Sequence, residues 1–249
     1  MRIFLYILLI GISTLISCSG SPDPLYPRYT TFPDEKMVAT QEISIDSAFF
    51  RYPYRVAVKD SIAIIMDLHN DSHYFYAFTY PECKPIAPFG KRGEAPGEML
   101  SAEMFQFSAL DSVWTLDANR MLITRWSVSP TDKTVLRKEE IRLDKTLVRS
   151  LDFYRTDSAF LITDYLGDFR YHKVSHSGKP IKNIGKIPTE ISYEQYIHPA
   201  LAQAWRSFTD YNPKNGIYAM ATQLGEALEI YNLKTQTHNV IYLSLIHIY

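Results

Sequence analysis

The chain has 249 residues, 46% of them apolar, with 26 basic residues against 27 acidic ones. A net charge of −1 excludes a strongly basic nucleic-acid binder. Eighteen tyrosines and thirteen phenylalanines exclude a disordered chain, and two cysteines exclude a disulfide scaffold or a cysteine-based zinc module.

Arg2 precedes an apolar run from Ile3 to Ile16. The run is short for a bilayer-spanning helix and suits the hydrophobic stretch of a signal peptide. It ends in Leu15-Ile16-Ser17-Cys18, which resembles a bacterial lipobox. The resemblance implies cleavage before Cys18, a diacylglyceryl thioether on its thiol and acylation of the freed amine. Several acyl chains hold a protein on a membrane where one holds it only marginally. A plain secretory signal with a chance cysteine is the competing reading. Residues 1–17 are therefore expected to be the signal peptide, and 18–39 the lipidated cysteine and a tether. Pro22, Pro24, Pro27 and Pro33 make that tether an extended spacer. By resemblance to Gram-negative sorting signals, Ser19 in place of Asp after the cysteine implies the outer membrane. Periplasm-facing and surface-exposed orientations both stay open. With Cys18 acylated, Cys83 has no partner in the chain, and no flanking motif marks it as an activated thiolate.

From residue 40 to 243 one plan recurs. A strand, an Asp-Ser or Asn-Gly turn and a second strand are read around Asp60-Ser61, Asp111-Ser112, Asp157-Ser158 and Asn215-Gly216. Such pairs suit tight hairpins, because they tolerate left-handed backbone or bond locally to it. Asp67, Asp117 and Asp164 follow the second strands. Third strands are expected near 74–80, 122–128, 169–174 and 227–233, and polar fourth strands such as 135–143. The turns are 51, 46 and 58 residues apart. Four antiparallel strands about every 50 residues predict an all-β β-propeller of about four blades. A lone four-stranded sheet buries neither face, so blades must stack around an axis. A β-sandwich is the alternative. Glu42 to Asp46 is read as an N-terminal strand that completes the last blade.

Phe89-Gly90-Lys91-Arg92-Gly93-Glu94-Ala95-Pro96-Gly97-Glu98-Met99 resembles the "FG..G.GPGEF" signature of TolB-like six-bladed propeller lipoproteins of Bacteroides-type bacteria. Ala95 before the Pro-Gly-Glu and Met99 in place of Phe depart from it. The resemblance covers about residues 40–243 and implies the fold, with the signature linking one blade's outer strand to the next blade. Six blades would need roughly 100 more residues. The end Leu243 to Ile248 also resembles a peptide translated from sequencing-adaptor DNA. A truncated chain carrying a non-native tail at 244–249 is therefore expected, with a genuine four-bladed propeller as the competing expectation.

The candidate chemistry is sparse. His69 with His73, and His172 with His176, have i, i+4 spacing. In turns and strands that spacing spreads over about 13 Å, too far for one ion, so no metal site is assigned. Asp67, Asp117 and Asp164 would form a ring on one face, as turn stabilisers or as ligands for cations or sugar hydroxyls. The insertion Pro188 to Trp205 carries Tyr193, Tyr196, His198 and Trp205, read as candidate ligand-binding residues; packing of a short helix on the ring is the alternative. No catalytic motif and no cofactor signature is readable. The expectation is a lipid-anchored binding or scaffold propeller of the cell envelope, with an envelope protein or glycan as ligand and no nucleic acid. The alternative is an envelope hydrolase or lyase acting on glycans or peptides at the propeller face.

Overall fold

The computed structural model describes residues 48–109, 111–189 and 198–243, together with 28–29, 34, 36–40 and 42–45. Cys18 and the segment 244–249 lie outside the described residues. The described strands form three sheets of four and one of five, the fifth strand being β1 (Arg28–Tyr29) at the edge of the last sheet. Blade one holds β2 (Pro53–Lys59), β3 (Ile62–Asp67), β4 (His73–Thr79) and β5 (Pro85–Lys91). Blade two holds β6 (Ala102–Ala109), β7 (Ser112–Asp117), β8 (Leu122–Ser129) and β9 (Thr134–Arg142). Blade three holds β10 (Phe153–Arg155), β11 (Phe160–Thr163), β12 (Tyr171–Val174) and β13 (Pro180–Ile184). Helix α1 (His198–Ala204) leads into blade four, with β14 (Ser207–Asn212), β15 (Ile217–Thr222), β16 (Ala227–Asn232) and β17 (Thr237–Leu243).

Within each blade the strands follow chain order and pair antiparallel. The core lies in three seams between successive blades. Phe75, Phe89, Phe105 and Trp126 fill the first. Trp114, Leu116, Phe153 and Phe160 fill the second, and Leu161, Tyr171, Tyr218 and Tyr231 the third. A sandwich would have one slab between two sheets; successive seams are the signature of a propeller.

The recurring aspartates are turn stabilisers. Asp67 is fully buried and accepts from the backbone N–H groups of Arg51 (2.7 Å), Tyr52 (3.0 Å) and His69 (3.0 Å). Burial pushes its carboxyl up, but these backbone bonds outweigh that and hold it below its ordinary value. Asp117 accepts from Leu100 N and Arg120 N, and Asp164 from Leu166 N and Phe169 N. In blade four Thr222 takes the position, its Oγ1 accepting from Ala227 N at 3.0 Å and donating to Ala227 O at 3.1 Å.

The Phe-Gly…Pro-Gly-Glu segment has a structural purpose. Phe89 is buried, stacked 5.0 Å from Phe75 and tilted against Trp126 at 5.3 Å. Gly90 has φ +63°, and a Cβ there would lie 2.7 Å from the Phe75 ring, so glycine lets the chain turn tightly against the core. Glu98 accepts from Ala95 N and from Lys91 Nζ at 2.6 Å, tying the link back to β5.

Three details differ from the sequence expectation. Glu42 to Ile45 form no strand; the chain is instead paired at Arg28 and Tyr29, which run parallel to β17 opposite Tyr242 and Leu243. Strand β10 is three residues long, because Leu147 and Ser150 are tied into a turn before it. Ala204 ends α1 rather than opening a strand, and the four-residue turn Pro213 to Gly216 replaces a two-residue one. Among the described residues no helix is long and apolar enough to cross a membrane.

Candidate functional site

The first strands of all four blades, β2, β6, β10 and β14, converge on a central cavity of about 520 Å³. Tyr54, Arg55, Met104, Tyr154, Phe208 and Asp210 supply most of its chemistry. Strand alternation puts apolar side chains on the axis: Val56 is 68% and Phe208 53% exposed. Tyr154 closes one side. Its hydroxyl lies 3.0 Å from both Thr209 O and Asp210 Oδ1 and donates across the boundary between blades three and four. Burial, with Asp152 and Asp210 nearby, pushes that phenol far above its ordinary range, so it stays a donor.

Behind this wall sits Asp152, 2% exposed. Burial lifts its carboxyl to about 6, against the pull of the Thr209 hydroxyl that donates to it and of the Arg55 charge. Arg206 adds a second cation on the same side. The Nε atoms of Arg55 and Arg206 are buried without a hydrogen-bond partner among the described residues. A carboxyl that titrates near neutrality is what acid–base catalysis needs. Asp152 is, however, absent from the cavity wall, and Thr209 stands in front of it. It serves the packing of blade three against blade four.

A second polar cluster bridges the same two blades. Arg170 and Glu229 form an ion pair at 2.6 Å with side chains 1% and 0% exposed. Arg170 also donates to Ser207 Oγ (3.0 Å) and Trp205 O (3.2 Å). His238 Nε2 lies 3.3 Å from Glu229 and its ring stacks 3.9 Å from Tyr231.

The insertion residues do not gather at the cavity. His198 opens α1 on the surface, its Nδ1 2.7 Å from Asp168 Oδ1. Trp205 packs with Ile187, Leu201 and Ala202, and the Arg170 guanidinium lies 5.9 Å from its ring centre. Tyr193 and Tyr196 lie outside the described residues. The paired histidines have separate partners. His69 sits edge-on to Tyr52 (5.1 Å), and His176 meets the Thr156 carbonyl at 3.1 Å. His172 touches Asn183 at 2.8 Å and Asp164 at 3.6 Å; burial opposes its charge, yet Asp164 and Asn183 raise its pKa. Among the described residues no three His, Cys, Asp or Glu side chains gather as a metal site. Cys83 is half-buried between β4 and β5.

The channel residues escape sequence reading because each looks like ordinary strand alternation. The one signal is a charged Arg55 inside the apolar run of β2.

The family model of TolB-like 6-blade propeller-like proteins matches residues 31–244. An exported-type protein of Bacteroides fragilis NCTC 9343 superposes with a TM-score of 0.58 at 13% identity, over 88% of this chain and 60% of that one. A duf4221 family member from Bacteroides vulgatus ATCC 8482 gives 0.54 at 7% identity, over 82% and 61%. A catalytically inactive virginiamycin B lyase of Staphylococcus aureus, with quinupristin, gives 0.51 at 14% identity, over 83% and 60%. The chain thus spans about 60% of the length of these structures. At such identities the likeness is one of fold. No curated protein matches the sequence.

Proposed function

The chain belongs to the TolB-like 6-blade propeller-like family, and on that premise we propose that it is a ligand-binding module of the cell envelope, moored by lipid at Cys18. The observation that carries the reading is the convergence of four inner strands on one open cavity. Its apolar side chains face the axis uncovered, and its polar handles are Arg55 and Asp210. A concave, mostly apolar wall with a few fixed polar groups is the general form of a binding site. The ligand this wall suits has an apolar body and an acidic or amide group for Arg55, as in a peptide segment or a modified glycan of the envelope. Mooring is supported by the lipobox-like Leu15 to Cys18 and by likeness to an exported-type protein.

An envelope hydrolase or lyase is the other reading. It needs reactive groups converging from different blades. In the described cavity wall the carboxylate is that of Asp210, already engaged by Tyr154. The lyase neighbour, at 14% identity, contributes fold alone.

The test uses full-length protein in detergent-solubilised envelope, comparing wild type with Phe208→Asp and Arg55→Gln. Capture of a defined envelope ligand should fall at least about tenfold in both, with unchanged thermal unfolding. Equal capture by all three would overturn the channel assignment. Cys18→Ala should move the protein from the detergent phase to the aqueous phase; retention in detergent would overturn the mooring.

A further inference from the structure

The seam between blades three and four contains a cavity of about 580 Å³, lying between the blade faces near the turn at Thr156 to Ser158. Its size falls within the range of small-molecule sites, about 300–1,000 Å³. Three tyrosines form its walls. Tyr171 and Tyr231 are 1% and 5% exposed, with ring centres 5.1 Å apart and nearly perpendicular. Tyr211 stands half-buried at the rim. Room for Tyr231 depends on Gly185, which has φ +70°; a Cβ there would collide with the Tyr231 hydroxyl.

Two lysines border the same cavity. Lys173 on β12 and Lys182 on β13 are direct cross-strand partners. Like charges placed opposite each other destabilise a sheet. Among the described residues neither lysine makes an ion pair. An anion seated between them would turn that cost into a charge-assisted contact. Gln236 and Asp157 add polar groups to the lining, while Asn183 is bonded to His172 and Asn232 Oδ1 accepts from the Lys234 and Thr235 backbone.

We infer that this inter-blade cleft binds an acidic saccharide unit, a sugar ring bearing a carboxylate. At the rim the Tyr211 ring offers an apolar face to the C–H surface of a sugar ring, with the buried Tyr171 and Tyr231 as the floor beneath it. The Gln236 amide and the Asp157 carboxylate match ring hydroxyls as donor and acceptor. Lys173 and Lys182 take the carboxylate. Among the described residues the other two seams are filled mainly by Phe, Trp, Leu, Ile, Met and Val, with Tyr74 as their fully buried tyrosine.

The experiment is calorimetric titration of the full chain with D-glucuronate, with D-glucose as the uncharged ring and inorganic phosphate as the anion without a ring. Glucuronate should bind saturably and at least about tenfold tighter than either control. Lys173→Gln with Lys182→Gln should weaken it at least about tenfold, and Tyr211→Ala should weaken it as well, with no fall in the unfolding midpoint in either case. Phe208→Asp in the central channel should leave it untouched, which separates this site from the channel. Absence of saturable glucuronate binding would overturn the inference. So would phosphate binding as tight as glucuronate, or a lysine double variant that binds like wild type.

Discussion

The first and third seams of the ring solve one packing problem in opposite ways. Between blades one and two, Phe75, Phe89, Phe105 and Trp126 interlock, with ring centres 5.0–5.7 Å apart. Between blades three and four, tyrosines leave a cavity, and a buried arginine–glutamate pair provides the cross-link. An apolar seam is stabilised by burial and dispersion, which are tolerant of small shifts and indifferent to pH. A polar seam must satisfy every buried group, and in return it fixes one register and leaves room for a ligand. The cleft thus lies between blades three and four, whereas the central cavity is shared by all four blades.

That contrast can be broken by mutation, most strongly at the ion pair. Arg170→Met leaves Glu229 buried without its cation and should cost about 3–5 kcal/mol in urea unfolding. Adding Glu229→Leu should restore most of that loss; a double variant as weak as the single one would mean that the pair is not the cross-link.

Asp152 gives the next largest effect. Its carboxyl is lifted from 3.8 to about 6 by burial. Between those values the folded protein keeps a proton that the unfolded chain has released. The contribution is therefore fully present below about pH 4 and is lost as pH rises through 6. Relative to Asp152→Asn, the wild type should lose about 2 kcal/mol of stability from pH 4 to pH 7. Parallel stability curves for the two proteins would refute the burial argument.

The apolar seam should respond more mildly. Phe75→Leu should cost about 1–1.5 kcal/mol, equally at pH 5 and pH 8, because no titrating group is disturbed. Smallest of all is the surface pair Arg125–Glu139, at 3.2 Å on β8 and β9. Arg125→Gln should change stability by less than about 0.5 kcal/mol. A larger change would show that β9, an outer strand, contributes more to the ring than its exposure implies.

The blades could be read from the chain because their signals are local. Asp60, Asp111 and Asp157 mark tight turns, and Asp67, Asp117 and Asp164 close the strands that follow, each with at least one backbone partner two or three residues on. The expected strand at Glu42 was a plausible alternation that found no edge, since Arg28 and Tyr29 hold the place beside β17. The start of blade four was obscured because Ala204 and Trp205 look like strand residues, yet Leu201 and Ala202 bury a short helix there. The channel and the cleft were not legible at all. Tyr154 meets Asp210 from 56 residues away, and Arg170 meets Glu229 from 59. Nothing in either neighbourhood marks the pairing, because it is made by blade three stacking on blade four rather than by a motif.

The parallel pairing of Arg28 and Tyr29 with Tyr242 and Leu243 has a mechanical consequence. Any tension drawn from upstream of Arg28 falls first on a ladder of two residues, far shorter than the eight paired positions of β8 with β9. That clasp yields before any blade is disturbed. Once it opens, the stretch from Tyr29 to Phe50 can reach about 70 Å at full extension. A fastening this short makes the Arg28–Tyr29 pairing the first part of its sheet to release.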